Sequence, residues 1–172
     1  MHGKTRLFTA LLIFLTMLCI VSCGSEEDPI PANYERPAVT MAKAISAYDT
    51  QAYLNCFTDE AKNEYINGSS YNKDLVKTFL PSQTESVIKT QMTSDTELNS
   101  RRIDELKEQY KEKYKKRIDI SKARKIAVEF TIQGNSKQSV SKELTVVRVE
   151  NRWLVFGDVI EKFEFKKDSL TF

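Results

Sequence analysis

Histidine, cysteine and paired carboxylates are the side chains that most often move protons, attack carbons or hold metals, and this chain offers few of them. It contains 1 histidine and 3 cysteines. His2 stands ahead of a long apolar run and belongs with that run, so Ser-His and Cys-His nucleophile systems have no imidazole in the rest of the chain. Cys19 lies inside the run and Cys23 directly after it, which leaves Cys56 alone further on. No internal disulfide framework and no Cys/His cluster for zinc can be drawn from that set. Cys56 falls among Tyr53, Leu54 and Phe57, where a small buried thiol is expected. The 5 glycines are scattered and build no phosphate loop, and lysine-activated nucleophiles have no recognisable motif. What is left is a carboxylate with a phenol: Asp49 or Asp158 with Tyr53, Tyr65 or Tyr110, an acid to carry a proton and a hydroxyl to hold an oxyanion. Nothing in the spacing selects one pair. The competing reading makes these tyrosines core or rim aromatics with their hydroxyls in water. The sequence therefore assigns no catalytic residue, no metal ligand and no cofactor.

The amino-terminal segment carries a different chemistry. Lys4 and Arg6 give a positive start, Leu7 to Val21 is apolar, and small residues follow, which is the order of a secretory signal. The run is about fifteen residues long, short of the roughly twenty that cross a bilayer. Ile20-Val21-Ser22-Cys23-Gly24 resembles the lipobox of bacterial lipoproteins, an aliphatic residue and two smaller ones ahead of the cysteine that receives diacylglycerol. That resemblance implies a signal peptide over 1–22, a lipidated Cys23 carrying palmitate-type acyl chains, and stable anchoring, since two or three chains hold far better than one. The alternative is an ordinary signal with Cys23 an incidental thiol.

Gly24-Ser25-Glu26-Glu27-Asp28-Pro29-Ile30-Pro31 is too polar and proline-rich to pack, so residues 23–36 read as a tether. The acidic triplet Glu26-Glu27-Asp28 also looks like the export signal on surface-exposed lipoproteins of some Gram-negative bacteria; a solvated linker explains it equally. A calcium site there is disfavoured, because calcium takes roughly six to eight converging oxygens.

Charge argues against one class of partner, a local basic patch aside. Setting aside Lys4 and Arg6, the 26 basic residues of the chain leave 24 against 24 acidic ones. A neutral domain is not built to bind nucleic acid mainly through counterion release. The roughly 150 residues after the signal suffice for one domain with its own core, expected over 37–166 with a tail at 167–172.

Its first half reads as helical. Pro37 suits a first turn, and Met41, Ile45 and Tyr48 recur at spacings of four and three. Asp49-Thr50 interrupts the pattern, Tyr53, Cys56 and Phe57 begin a second face, and Thr58-Asp59 restarts a short helix toward Tyr65. Asn67-Gly68-Ser69-Ser70 is a loop, and Leu75, Val76, Phe79 and Leu80 form a face that Pro81 ends. Ser82 with Glu85 and Ser94 with Glu97 match capping boxes and predict two more helix starts, the first carrying Val87 and Ile88, the second Leu98, Ile103, Leu106, Tyr110 and Tyr114. The second, spanning 95–117, is densely charged, with Glu108–Lys111 and Glu112–Lys116 at pairing distance along a solvated face.

From Ile118 the period becomes two. Ile126, Val128, Phe130 and Ile132 alternate with Ala127, Glu129 and Thr131, Gly134-Asn135 turns, Leu144 to Val149 is a second strand, Glu150-Asn151 turns tightly, and Arg152 to Phe156 is a third. Gly157-Asp158 marks a bulge or bend before Val159, Ile160, Phe163 and Phe165 continue the apolar pattern. Helices followed by antiparallel strands predict an α+β fold. The run Ala44-Ile45-Ser46-Ala47-Tyr48-Asp49-Thr50-Gln51-Ala52-Tyr53-Leu54-Asn55-Cys56-Phe57-Thr58, with Val146 to Phe156 and its Arg152-Trp153, resembles secreted domains of the nuclear-transport-factor-2-like (cystatin-like) superfamily. The resemblance implies a curved antiparallel sheet of C-terminal strands wrapped round N-terminal helices as a cone with a pocket.

Together these readings predict a lipid-anchored extracytoplasmic domain on the cell membrane or outer membrane, with surface exposure a further option. Its expected role is non-catalytic binding of a small ligand or an envelope protein, with no nucleic-acid partner. Two alternatives stay open: an isomerase or dehydratase working in the cone pocket, which needs a buried carboxylate of raised pKa, and a structural lipoprotein docking through the charged helix 95–117.

Overall fold

The computed structural model describes residues 33–80, 87–133 and 138–167. Cys23, the signal and most of the tether, together with Ser82, Glu85 and the Gly134-Asn135 turn, lie outside them.

Pro37 occupies the first turn of α1 (Arg36–Ser46), where its missing N–H costs no helical hydrogen bond. The spacing read from sequence puts Met41, Ala42 and Ile45 in the core. The helix stops as Tyr48 turns to φ 55° and the Asp49 N–H bonds back to the Ala44 carbonyl at 2.8 Å. Asp49 then caps α2 (Thr50–Leu54) by accepting from the Ala52 N–H at 2.9 Å. Thr58 precedes α3 (Asp59–Asn67), whose first turn holds Asp59 and Glu60 where the helix dipole favours anions. The apolar face at Leu75, Val76 and Phe79 forms as a 3-10 helix over Leu75–Phe79.

The helix start expected at Ser94 and Glu97 is corrected by the structure, and so is the placing of Val87 and Ile88 on a helix; the start expected at Ser82 and Glu85 lies outside the described residues. Val87 and Ile88 lie in strand β1 (Val87–Glu97), which also contains Ser94 and Glu97. The residue that caps the next helix is Asn99, accepting from the Arg102 N–H at 3.0 Å to open α4 (Ser100–Tyr114). A capping box is a local signal, whereas β1 is defined by antiparallel pairing with β2 (Ile120–Gln133), from Val87 opposite Gln133 to Glu97 opposite Arg124. As an edge strand, β1 buries only Ile88 fully, so it has almost no apolar alternation to read.

Strand β2 keeps the predicted alternation, burying Ile126, Val128, Phe130 and Ile132. Strand β3 (Gln138–Val149) starts well before the predicted Leu144, through a polar stretch. Glu150, at φ 53°, turns it into β4 (Arg152–Phe156). The sheet runs β1-β2-β3-β4, all antiparallel, and a short β5 (Lys166–Lys167) pairs with β3 at Gln138 and Ser139. The chain bends at Gly157-Asp158 as expected, with Gly157 at φ 115°, and the apolar pattern then continues in irregular chain up to Phe165. Its apolar residues plug the core: Val159 and Phe163 are buried, and Phe163 lies 5.0 Å from Phe79 and 5.1 Å from Phe130, ring centre to ring centre.

The architecture is α+β, with α4 inserted between the first two strands. One sheet face, including Phe130, Val146 and Val155, packs under α1 to α3. Each large apolar side chain buried there contributes about 1.5–3 kcal/mol relative to exposure. A smaller second cluster joins Ile120, Ala123 and Val147 to Leu98, Ile103 and Leu106. The link between α2 and α3 docks on the free edge of β4, with the Val155 N–H donating to the Cys56 carbonyl at 2.7 Å and the Thr58 N–H to the Val155 carbonyl at 3.2 Å.

Candidate binding cleft

The acid and phenol candidates are kept apart. Asp49 is spent as an exposed helix cap. Asp158 is exposed and pairs with Lys113, which also reaches Glu64 at 2.8 Å. Neither carboxylate hydrogen-bonds a tyrosine among the described residues. The tyrosine hydroxyls are not left to water either. Tyr53 donates to the Ile160 carbonyl at 2.8 Å, Tyr65 accepts from the Asn72 N–H at 3.0 Å, and Tyr110 donates to Glu60. That last pair was not anticipated, because positions fifty apart are joined only by the packing of α4 on α3. The Tyr110 hydroxyl, with help from Lys116 at 2.9 Å, holds the Glu60 carboxyl below its usual range. Lys116 therefore pairs across elements with Glu60, not with Glu112 along the helix.

Cys56 is 4% exposed, and burial pushes its thiol up to about 12. Such a thiol is neutral and inert at physiological pH. Among the described residues no three His, Cys, Asp or Glu side chains converge as metal ligands, and no helix is long and apolar enough to cross a membrane. The cations of α4 largely meet neighbouring acids: Arg101 and Arg102 both reach Glu105, Lys107 reaches Asp104, and Lys111 reaches Glu108.

A cleft of about 570 Å³ opens where the amino end of α1, the α2–α3 link and the β3–β4 hairpin meet. Its charged lining is wholly cationic among the described residues: Arg36 from α1, Lys62 from α3, Arg148 and Arg152 from the hairpin. Lys62 contacts Asp59 at 3.3 Å and the Asn55 side-chain oxygen at 3.4 Å. Among the described residues the Arg148 guanidinium finds only the Asn151 side-chain oxygen, at 3.4 Å. Among the described residues no carboxylate pairs with Arg36, Arg148 or Arg152.

Sheet register explains why Arg148 is there. Val146 opposite Val155 is a buried core pair; two residues on, Arg148 opposite Trp153 occupies the same face. Both are half-buried, so a guanidinium and an indole continue the core row into the cleft. Trp153 is steadied edge-on by Tyr34, ring centres 6.1 Å apart. Tyr34 in turn lies under the Arg124 guanidinium at 4.4 Å, and Arg124 is held by Asp95 at 2.5 Å and Glu97 at 3.1 Å. A hydrogen bond with Asp95 raises the Tyr34 pKa, so the phenol stays neutral. The cleft wall is thus braced from β1 and β2.

None of the cleft cations was singled out from sequence as a ligand-binding residue; Arg152-Trp153 entered only through the family resemblance. The available signal was a cation on the core face of the last hairpin, where Val146 would be followed two positions later by another apolar residue. Comparison with known proteins adds no assignment: no family model, no curated protein and no solved structure matches this chain.

Proposed function

We propose that this chain is a lipid-anchored, extracytoplasmic, non-catalytic binding domain whose ligand is an anion held in the cleft between α1, α3 and the β3–β4 hairpin. The observation that carries this reading is Arg148, half-buried in the core row with no carboxylate partner among the described residues. A partly desolvated, unpaired cation is costly to keep. An anionic ligand offsets that cost, since hydrogen bonds to charged groups contribute about 1.5–3 kcal/mol each. The planar fork of arginine suits carboxylate and phosphate alike.

The address rests on the amino-terminal segment, where Ile20-Val21-Ser22-Cys23 supports lipid on Cys23 and a place at the cell membrane or outer membrane, with surface exposure supported by Glu26-Glu27-Asp28. Helices on one face of an antiparallel sheet support the finer reading that the sheet curves round them as in nuclear-transport-factor-2-like domains. In this reading the aromatic interior is packed core and the ligand enters at the hairpin end.

Two measurements test the proposal. Intact mass of the protein extracted from its membrane is expected to exceed the processed chain by its acyl groups, and the excess is expected to vanish in Cys23→Ala; an unmodified, freely soluble wild type defeats the address. Citrate at constant ionic strength is expected to raise the melting temperature of the wild type, by mass action on the folded state, and to leave Arg148→Gln unmoved. Equal shifts in both proteins defeat the cleft assignment.

A further inference from the structure

We infer that the cleft's ligand is an acidic saccharide, a short sugar chain bearing carboxylate or phosphate groups; this rests on the anion-binding reading above and narrows it. Three features of the lining select that chemistry together.

The first is how the charge is spread. Arg36 stands on α1, Lys62 on α3, and Arg148 with Arg152 on the hairpin, so the cations sit on three separate walls. A nucleotide concentrates its negative charge at one end, whereas an acidic oligosaccharide carries a charge on successive rings. The second is the supply of neutral donors. Asn55 and Asn151 turn their side-chain oxygens to Lys62 and Arg148, which leaves their amide N–H groups to donate elsewhere. Asn33 and the Thr40 hydroxyl add further neutral polar groups. Cations alone would suffice for a bare anion; carboxamides and a hydroxyl beside them match the hydroxyl and ring oxygens of sugars. The third is Trp153, a braced indole beside Arg148, which offers a flat apolar surface to the C–H face of a sugar ring. A cleft of about 570 Å³ falls within the size range of small-ligand sites, roughly 300–1,000 Å³.

The chain has 1 tryptophan, so its fluorescence reports from the cleft wall directly. The full-length protein in detergent is titrated with trigalacturonate and a hyaluronate tetrasaccharide, and separately with fully methyl-esterified trigalacturonate, citrate and ATP. The expected result is a saturable change in Trp153 emission with at least one acidic sugar, at least tenfold tighter than with the neutral ester, citrate or ATP. Arg148→Gln is expected to weaken it tenfold or more, and the exposed Arg152→Gln to weaken it measurably. Citrate or ATP binding as tightly as the sugars overturns the saccharide assignment while leaving an anion cleft. Tight binding of the neutral ester also overturns it. No response to any anion overturns both readings.

Discussion

Replacing Tyr53 by Phe asks whether the interior of this domain is a packed core or a working pocket. The Tyr53 ring is fully buried, 5.4 Å from both Phe57 and Phe79 and 6.3 Å from Phe163 between ring centres. Its hydroxyl donates to the Ile160 carbonyl at 2.8 Å. Burial raises its pKa well above the usual tyrosine value, so the group is a neutral donor at any physiological pH. Tyr53→Phe removes one oxygen and leaves the ring packing in place. The loss is one hydrogen bond and the partial stranding of a carbonyl on a half-buried residue, about 1–2 kcal/mol. For a domain of this size that corresponds to a fall in melting temperature of roughly 3–8 °C. Urea titration is expected to show a lower midpoint with an unchanged slope, the signature of altered stability without altered compactness. Anion binding followed through Trp153 should be unaffected. An unchanged midpoint would refute the hydrogen bond's role, and a stably folded variant that no longer binds ligand would move the site from the hairpin end into the interior.

Three further outcomes follow from particular side chains. Because the Tyr110 hydroxyl and then Lys116 hold the folded Glu60 pKa below 4.5, their stabilisation is fully present above that pH and fades as the pH falls through the folded value; Glu60→Gln is expected to flatten the acid limb of a stability–pH curve, and an identical limb would count against the pair. Cys56, with its thiol near 12 and its side chain buried, is expected to resist iodoacetamide at pH 8 in the native protein and react once unfolded, so rapid native labelling would contradict its burial. Gly157 sits at φ 115° with open space where a β-carbon would lie, so Gly157→Ala is expected to cost about 1 kcal/mol or more through backbone strain alone, read from a chemical melt; a neutral substitution would show that the turn relaxes freely.

What the sequence made legible was whatever depends on near neighbours. Met41 and Ile45 announce α1, the Asp49 interruption marks a true cap, and the alternation from Ile126 to Ile132 announces β2, because each pattern is fixed by one element burying one face. What it hid depends on distant partners. Strand β1 is held by its hydrogen bonds to β2, and its side chains from Gln91 onward are mostly polar, so a capping-box pattern at Ser94 and Glu97 outweighed a strand with little apolar alternation. The polar first half of β3 is hidden for the same reason, and the form of the apolar run after Gly157 stays open in the sequence because plugging a core and alternating on a sheet both call for apolar residues. The cleft is the extreme case. Arg36, Lys62 and Arg148 are ordinary surface-type residues until helix packing and hairpin register bring them to one concavity without an acid among its described lining.

The most direct test of the central claim, that this cleft holds an anion, is an NMR titration of the isotopically labelled full-length protein with citrate at fixed ionic strength. The Trp153 indole N–H and the backbone amides of Asn55, Cys56, Asn151 and Leu154 are expected to shift together along one saturable curve, while Arg101 to Lys107 on α4 stay still. Shifts concentrated on α4, or a response at the cleft that never saturates, would contradict it.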